Sequence, residues 1–153
     1  MRLVLQRVSQ AAVAIGGETV ARIGPGLLLL VGFGPEDGAA QLAYWARRVP
    51  EFRLFPDEAG KMNRSALESG GSLLVVPNFS LYAEVSKGRR PGFGGGAPPE
   101  RAAVLFGQFL AALRERGLPV AAGRFAEHME VSLVNDGPIT LILDEAARRA
   151  KCE

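Results

Sequence analysis

Three stretches of this chain carry side chains or backbone types that could do chemistry. They are Pro77-Asn78-Phe79-Ser80-Leu81, the basic run Lys87-Gly88-Arg89-Arg90, and Asn135-Asp136-Gly137-Pro138. The Ser80 hydroxyl would become a nucleophile only if a base took its proton, and its sequence neighbours offer none. The chain has a single histidine, His128, so any Ser-His-Asp triad would have to use it. It precedes a strand-like run and is expected at that strand's edge. Clustered Lys and Arg ahead of a helix N-terminus can hold phosphate, although the same composition suits an ordinary solvated loop. Asn135 to Pro138 interrupts strand-like flanks with residues that no central strand accepts, because proline lacks a ladder donor and glycine weakens a strand. It is either a plain turn or backbone placed for a purpose.

Other chemistries are set aside by counting. The single cysteine, Cys152, excludes an internal disulfide and speaks against a thiolate metal site. One histidine excludes two-histidine zinc motifs. Glu127 and Glu130 flank His128 but on a strand would not converge, so no metal is expected. There is no Walker loop, and Gly92-Phe93-Gly94-Gly95-Gly96 follows a loop rather than a strand, so no dinucleotide cofactor is expected. A net charge of +2 permits an anionic partner without requiring one, and is weak for a reader of long DNA duplexes. No apolar run reaches the roughly 20 residues that span a bilayer, and the start lacks a signal peptide's apolar stretch, so a cytoplasmic protein is expected.

The elements that must position these residues can be read from periodicity. The 153 residues, 48% hydrophobic and 22% charged, suit one soluble domain with its own core. Strands are expected at about 2–8, 11–15, 18–23 and 27–33, with hairpin turns at Gly16-Gly17 and Gly24-Pro25-Gly26. The run 27–33 is apolar on both faces and belongs mid-sheet. Leu42, Trp45, Ala46 and Val49 form one stripe of a helix over 38–49, ended by Pro50. A short strand follows at 51–55, then a polar connector with a helical turn at 65–68, then a core strand at 72–76. A loop of about 17 residues, rich in glycine, proline and positive charge, leads to a helix over 99–116. Its buried stripe is Ala102, Leu105, Phe106, Phe109 and Leu113. Strands at 128–134 and 139–143 close the domain, and 145–153 is a charged tail. The order implies an α+β fold with a largely antiparallel, barrel-like sheet and two main helices in a single domain over 1–144.

Taken together, Leu5-Gln6-Arg7-Val8, the segments 70–83, 89–102 and 123–140, and the chain length resemble the D-aminoacyl-tRNA deacylase family. The likeness runs from Met1 to about Leu143 and is most specific at Asn135-Asp136-Gly137-Pro138-Ile139-Thr140. It implies a homodimer that hydrolyses the ester between a D-amino acid and tRNA, with no cofactor, metal, membrane or DNA partner. Glycyl-tRNA, mischarged on the alanine tRNA, would be a further substrate. In the family the Gly-Pro peptide is cis and enters the partner subunit's active site, so Gly137 and Pro138 would select chirality by backbone alone. Arg7 matches the arginine that buttresses this motif; read without the family it is an exposed edge residue. Phe125 and Met129 match positions lining the pocket near the terminal adenosine, or else pack in the core. Lys87, Arg89 and Arg90 would meet acceptor-stem phosphates.

At the motif that the family usually reads Ser-Gln-Phe-Thr-Leu, this chain has Pro77-Asn78-Phe79-Ser80-Leu81. Ser80 keeps the hydroxyl and Asn78 keeps an amide one methylene shorter. A sister family of animal deacylases also begins this motif with proline. The resemblance implies that water attacks the ester, that backbone N–H groups around Phe79 and Ser80 hold the oxyanion, and that the substrate's own 2′-hydroxyl helps orient the water. The alternatives are a Ser80-dependent esterase on small esters and a non-catalytic tRNA-binding module.

Overall fold

The computed structural model describes residues 1–149. Eight strands and four helices follow one another as β1 (Arg2–Ile15), β2 (Glu18–Ile23), β3 (Gly26–Gly32), α1 (Ala39–Arg48), β4 (Phe55–Pro56), β5 (Met62–Arg64), α2 (Ala66–Ser69), β6 (Ser72–Pro77), α3 (Pro99–Arg114), β7 (Val120–Ala122), β8 (Glu130–Leu143) and α4 (Glu145–Arg149). Six strands make one mixed sheet in the order β2-β1-β3-β6-β7, with β8 on β1; β4 and β5 form a separate ribbon. The sheet curls so that β2 returns against β6 and β7, which nearly closes it. Cys152 and the rest of the tail beyond residue 149 lie outside the described residues.

The α+β class holds, and five details correct the expectation. The first two expected strands are one, β1. Residues 2–8 pair antiparallel with β3, residues 11–15 with β2, and β8 runs along nearly the whole other edge. The two closing strands are likewise one, β8. The pairs β3–β6 and β6–β7 are parallel. Parallel neighbours need a crossover, and here α1 and α3 supply one each. β7 is too short and evenly half-buried to show an alternation. In the connector only Phe55–Pro56 and Met62–Arg64 extend; residues 49–51 coil into a 3₁₀ turn behind α1.

The run through β3 is apolar on both faces because two cores meet there. Leu27, Leu29 and Val31, with Leu73 and Val75 of β6, face the layer of α1 and α3, where Trp45, Phe106 and Phe109 fill the space. Leu28, Leu74 and Val76 face the inside of the curled sheet with Val8, Val13 and Ile23. All five residues of the expected α3 stripe are buried, and Pro99 begins the helix, where its missing N–H costs nothing. Ser65 caps α2 as half of a reciprocal box: the Glu68 N–H donates to Ser65 Oγ (3.2 Å) and the Ser65 N–H to Glu68 Oε2 (2.7 Å). No helix among the described residues is long and apolar enough to cross a membrane.

Candidate active site

A concavity of about 620 Å³ opens where the parallel strands β3 and β6 end. That volume lies within the range of small-ligand sites. Its floor is Leu30 to Phe33 and Val76 to Phe79, one wall is the start of α3, and the other is Phe125 to Met129. Phe93 and Gly96 of the long loop close the rim. Among the lining side chains only Asn78, Glu127 and His128 are polar.

The Asn78 to Tyr82 turn explains how the first motif is held. Asn78 N–H donates to Val31 O (2.8 Å), extending the β3–β6 register one step past Pro77, which has no N–H to give. Residues 79–82 then coil into a 3₁₀ turn capped by Asn78. Its Oδ1 accepts both the Ser80 N–H (3.1 Å) and the Ser80 hydroxyl (2.5 Å). An amide oxygen cannot take a proton, so the Ser80 hydroxyl has a hydrogen-bond partner but no base. Ser80 sits beside the cavity rather than in its lining. The Phe79 N–H, at the first position of the turn, has no acceptor within it. Gly32 lets the turn seat closely: a Cβ there would lie 3.0 Å from Asn78 O and 3.0 Å from Leu81 Cβ. Arg2 donates from Nη1 to Leu81 O (2.9 Å) and lies over the Tyr82 ring at 4.5 Å. Burial, and then the neighbouring Asp37 carboxylate, raise the Tyr82 hydroxyl to about 12, so it is neutral at physiological pH.

Phe125 and Met129 line the cavity and also pack into the core, Phe125 against Phe106 with centroids 6.4 Å apart. Gly123 makes room for this wall, since a Cβ there would meet Met129 Sδ at 2.7 Å. Ala126 holds a left-handed backbone (φ 61°), a conformation that non-glycine residues seldom adopt outside sites that need it. His128 does precede a strand, lying exposed on the loop just before β8, and from there it lines the cavity, which was not expected. The lack of strand alternation over 123–129 hid this; a lone histidine between two acidic neighbours was the only signal. Phe93 was also missed, because its glycine-rich surroundings read as flexible chain.

The second group of residues lies elsewhere. Gln6 pairs with Thr140 and Val8 with Asn135, so residues 136–139 bulge out opposite the single residue Arg7. The Gly137-Pro138 peptide at the tip is cis, and Gly137 has φ 148°. Asn135 brackets the bulge, its Oδ1 accepting the Ile139 N–H (2.8 Å) and its Nδ2 donating to Thr140 Oγ1 (3.0 Å). Arg7 is no exposed edge residue. Its guanidinium donates from Nε to Asp136 O (2.9 Å) and from Nη1 to Leu54 O (2.5 Å), with Asp136 Oδ2 at 3.3 Å. Gly137 and Pro138 are exposed and do not line the cavity of their own chain. Lys87, Arg89 and Arg90 are exposed on the long loop.

Residues 4–144 match the model of the D-Tyr-tRNA(Tyr) deacylase family, and the chain belongs to it. It is thereby a hydrolase of ester bonds. Among its relatives, the D-aminoacyl-tRNA deacylase of Desulforudis audaxviator is 55% identical over 144 residues, covering 94% of this chain and 97% of the relative. That of Chlorobaculum tepidum is 54% identical over 145 residues, with the same coverage. A solved structure described as c-Myc DNA Unwinding Element Binding Protein superposes with a TM-score of 0.89 at 36% identity, over 95% of this chain and 99% of that one. A probable eukaryotic D-amino acid tRNA deacylase shares the fold, with a TM-score of 0.78 at 20% identity, over 93% of this chain and 97% of that one.

Proposed function

We propose that this protein hydrolyses the ester of D-aminoacyl-tRNA by water attack, and that a homodimer lends the Gly137-Pro138 tip of one protomer to the cavity of the other. The observation that carries the reading is the pairing of a largely apolar cavity without a base at Ser80 with a braced, exposed backbone tip that its own cavity does not use. The terminal adenosine takes the cavity, against Phe125 and Met129. The ester carbonyl lies by the Phe79–Ser80 turn. Because the Ser80 N–H already bonds Asn78, the Phe79 N–H is the donor available to the developing oxyanion. The substrate's 2′-hydroxyl orients the attacking water. An aminoacyl ester is already labile, so positioning and one oxyanion donor suffice.

Chirality follows from shape. The tip's carbonyls accept hydrogen bonds from the substrate's α-ammonium group. With ammonium and ester carbon fixed, the D side chain points away and the L side chain strikes the backbone. Glycine has no side chain to reject, so glycyl-tRNA, including glycine misplaced on the alanine tRNA, is also cleaved. Lys87, Arg89 and Arg90 meet acceptor-stem phosphates. The direct test is a parallel deacylation assay on D-, L- and glycyl-tRNA: cleavage of the first and third with L spared is expected, and equal cleavage of D and L would sink the chiral role. Ser80→Ala should keep most of the activity, whereas a serine esterase would lose nearly all of it.

A further inference from the structure

Phe79 and Phe93 stand together on the cavity rim with centroids 5.2 Å apart and planes at 78°, yet they are 70% and 50% exposed. The two rings form one exposed apolar patch instead of two scattered residues, and such a patch beside a cavity marks a contact surface. The chain on either side of Phe93 is tied down. Glu84 and Gly92 exchange two backbone hydrogen bonds (2.8 and 2.9 Å), which closes residues 85–91 into a finger. Lys87, Arg89 and Arg90 sit on that finger, exposed and without an ion pair among the described residues. After Phe93, Gly95 and Gly96 pack on Tyr82 and Phe33 so closely that a Cβ would lie 2.9 Å from Tyr82 O or 3.2 Å from Phe33 O. Ala97 N–H then donates to Phe33 O (2.8 Å). The ring is held at both ends and free on its face.

We propose that Phe93, backed by Phe79, is a stacking platform for the unpaired nucleotide preceding the aminoacylated terminal one, with the finger's cations on the phosphates that lead back towards the acceptor stem. Single-stranded nucleic acid is recognised by this combination: positive charge along the backbone and fixed aromatic faces for the bases. One loop supplies both here, at the exit of a cavity that the terminal nucleoside fills under the reading above, on which this proposal rests. A protein partner would be expected to use a broader apolar surface than two rings beside three cations. Stacking tolerates any base, so the platform adds affinity without sequence choice.

The experiment compares kcat/KM for three substrates carrying the same D-amino acid, namely an aminoacyl-adenosine, an aminoacyl dinucleotide and aminoacyl-tRNA, in wild type, Phe93→Ala and Phe93→Trp. Wild type should gain about tenfold from nucleoside to dinucleotide, mainly in KM. Phe93→Ala should lose most of that gain, falling further on the dinucleotide and the tRNA than on the nucleoside; Phe93→Trp should retain it. Absence of the gain in wild type, or an equal loss on all three substrates in Phe93→Ala, would overturn the platform. Failure of wild type to cleave any of the three would instead overturn the deacylase reading on which it stands.

Discussion

Arg7 shows how much a single side chain can organise. It is the one residue of β1 that faces four residues of β8, and its guanidinium fills the mismatch by bonding carbonyls of both Asp136 and Leu54. A planar fork reaches two carbonyls in fixed directions, and an ammonium does not. Arg7→Ala should therefore leave two carbonyls short of a donor and cost about 1–3 kcal/mol in urea unfolding. Arg7→Lys should recover only part of that. At Gly137 the φ of 148°, and a would-be Cβ 2.7 Å from the Ile139 N–H nitrogen, forbid a side chain without displacement of the tip. Gly137→Ala is expected to keep the fold and to lower the ratio of D- to L-aminoacyl-tRNA cleavage by tenfold or more, on the order of 1–3 kcal/mol of local strain relieved by movement; rates on the two substrates measure it. Tyr82 sets a pH limit. Its hydroxyl is raised from 10.0 to about 12 when folded, so the folded state binds the proton more tightly. That contribution is full below pH 10 and is lost as pH rises towards 12. Alkaline unfolding curves should be shallower in Tyr82→Phe over that window.

At the scale of elements, the parallel pairing of β3 and β6 presents the cavity, because both strands end at its floor. Gly26 begins that pairing under close approach: a Cβ would sit 1.9 Å from Ser72 O. Gly26→Ala has to part the two strands at their first rung and should cost about 2–4 kcal/mol, read as a fall in Tm. These two crossovers were hard to read ahead of time. The run 27–33 announced a strand buried on both faces, and the stripes of α1 and α3 announced helices. Nothing in either pattern says which strand lies beside β3, since that choice is made by the length of the helical connections. Residues 135–138 posed a similar problem. Glycine and proline mark a departure from the ladder, but only pairing with β1 on both sides shows that the strand resumes in place instead of turning back. The cavity residues divide the same way. Asn78, Phe79, Phe125 and Met129 were legible through their motifs. Phe93 and His128 were not, because irregular loops bring them to the rim and no period encodes that.

At the scale of the whole molecule, two cores share the central strands, and the one beneath the helices is the larger. Phe109 is fully buried in it. Phe109→Ala should cost about 3–5 kcal/mol, measured by denaturant unfolding. If the tip of one protomer serves the cavity of the other, two crippled chains should rescue one another. A Gly137→Asp chain, sound in its cavity, and a chain disabled at Phe79 and Asn78, sound at its tip, should each be weak alone. Co-refolded, hybrids with two-fold pairing restore roughly a quarter of the sites. No recovery would mean that each protomer works by itself.

The bulge of β8 has one more consequence, a mechanical one. Long stretches of ladder clamp it above and below, Asn135 ties its two feet together, and Arg7 wedges it from behind. A projection mounted this way behaves as a rigid stop and not as a spring. Whatever molecule comes against it must be the one that yields.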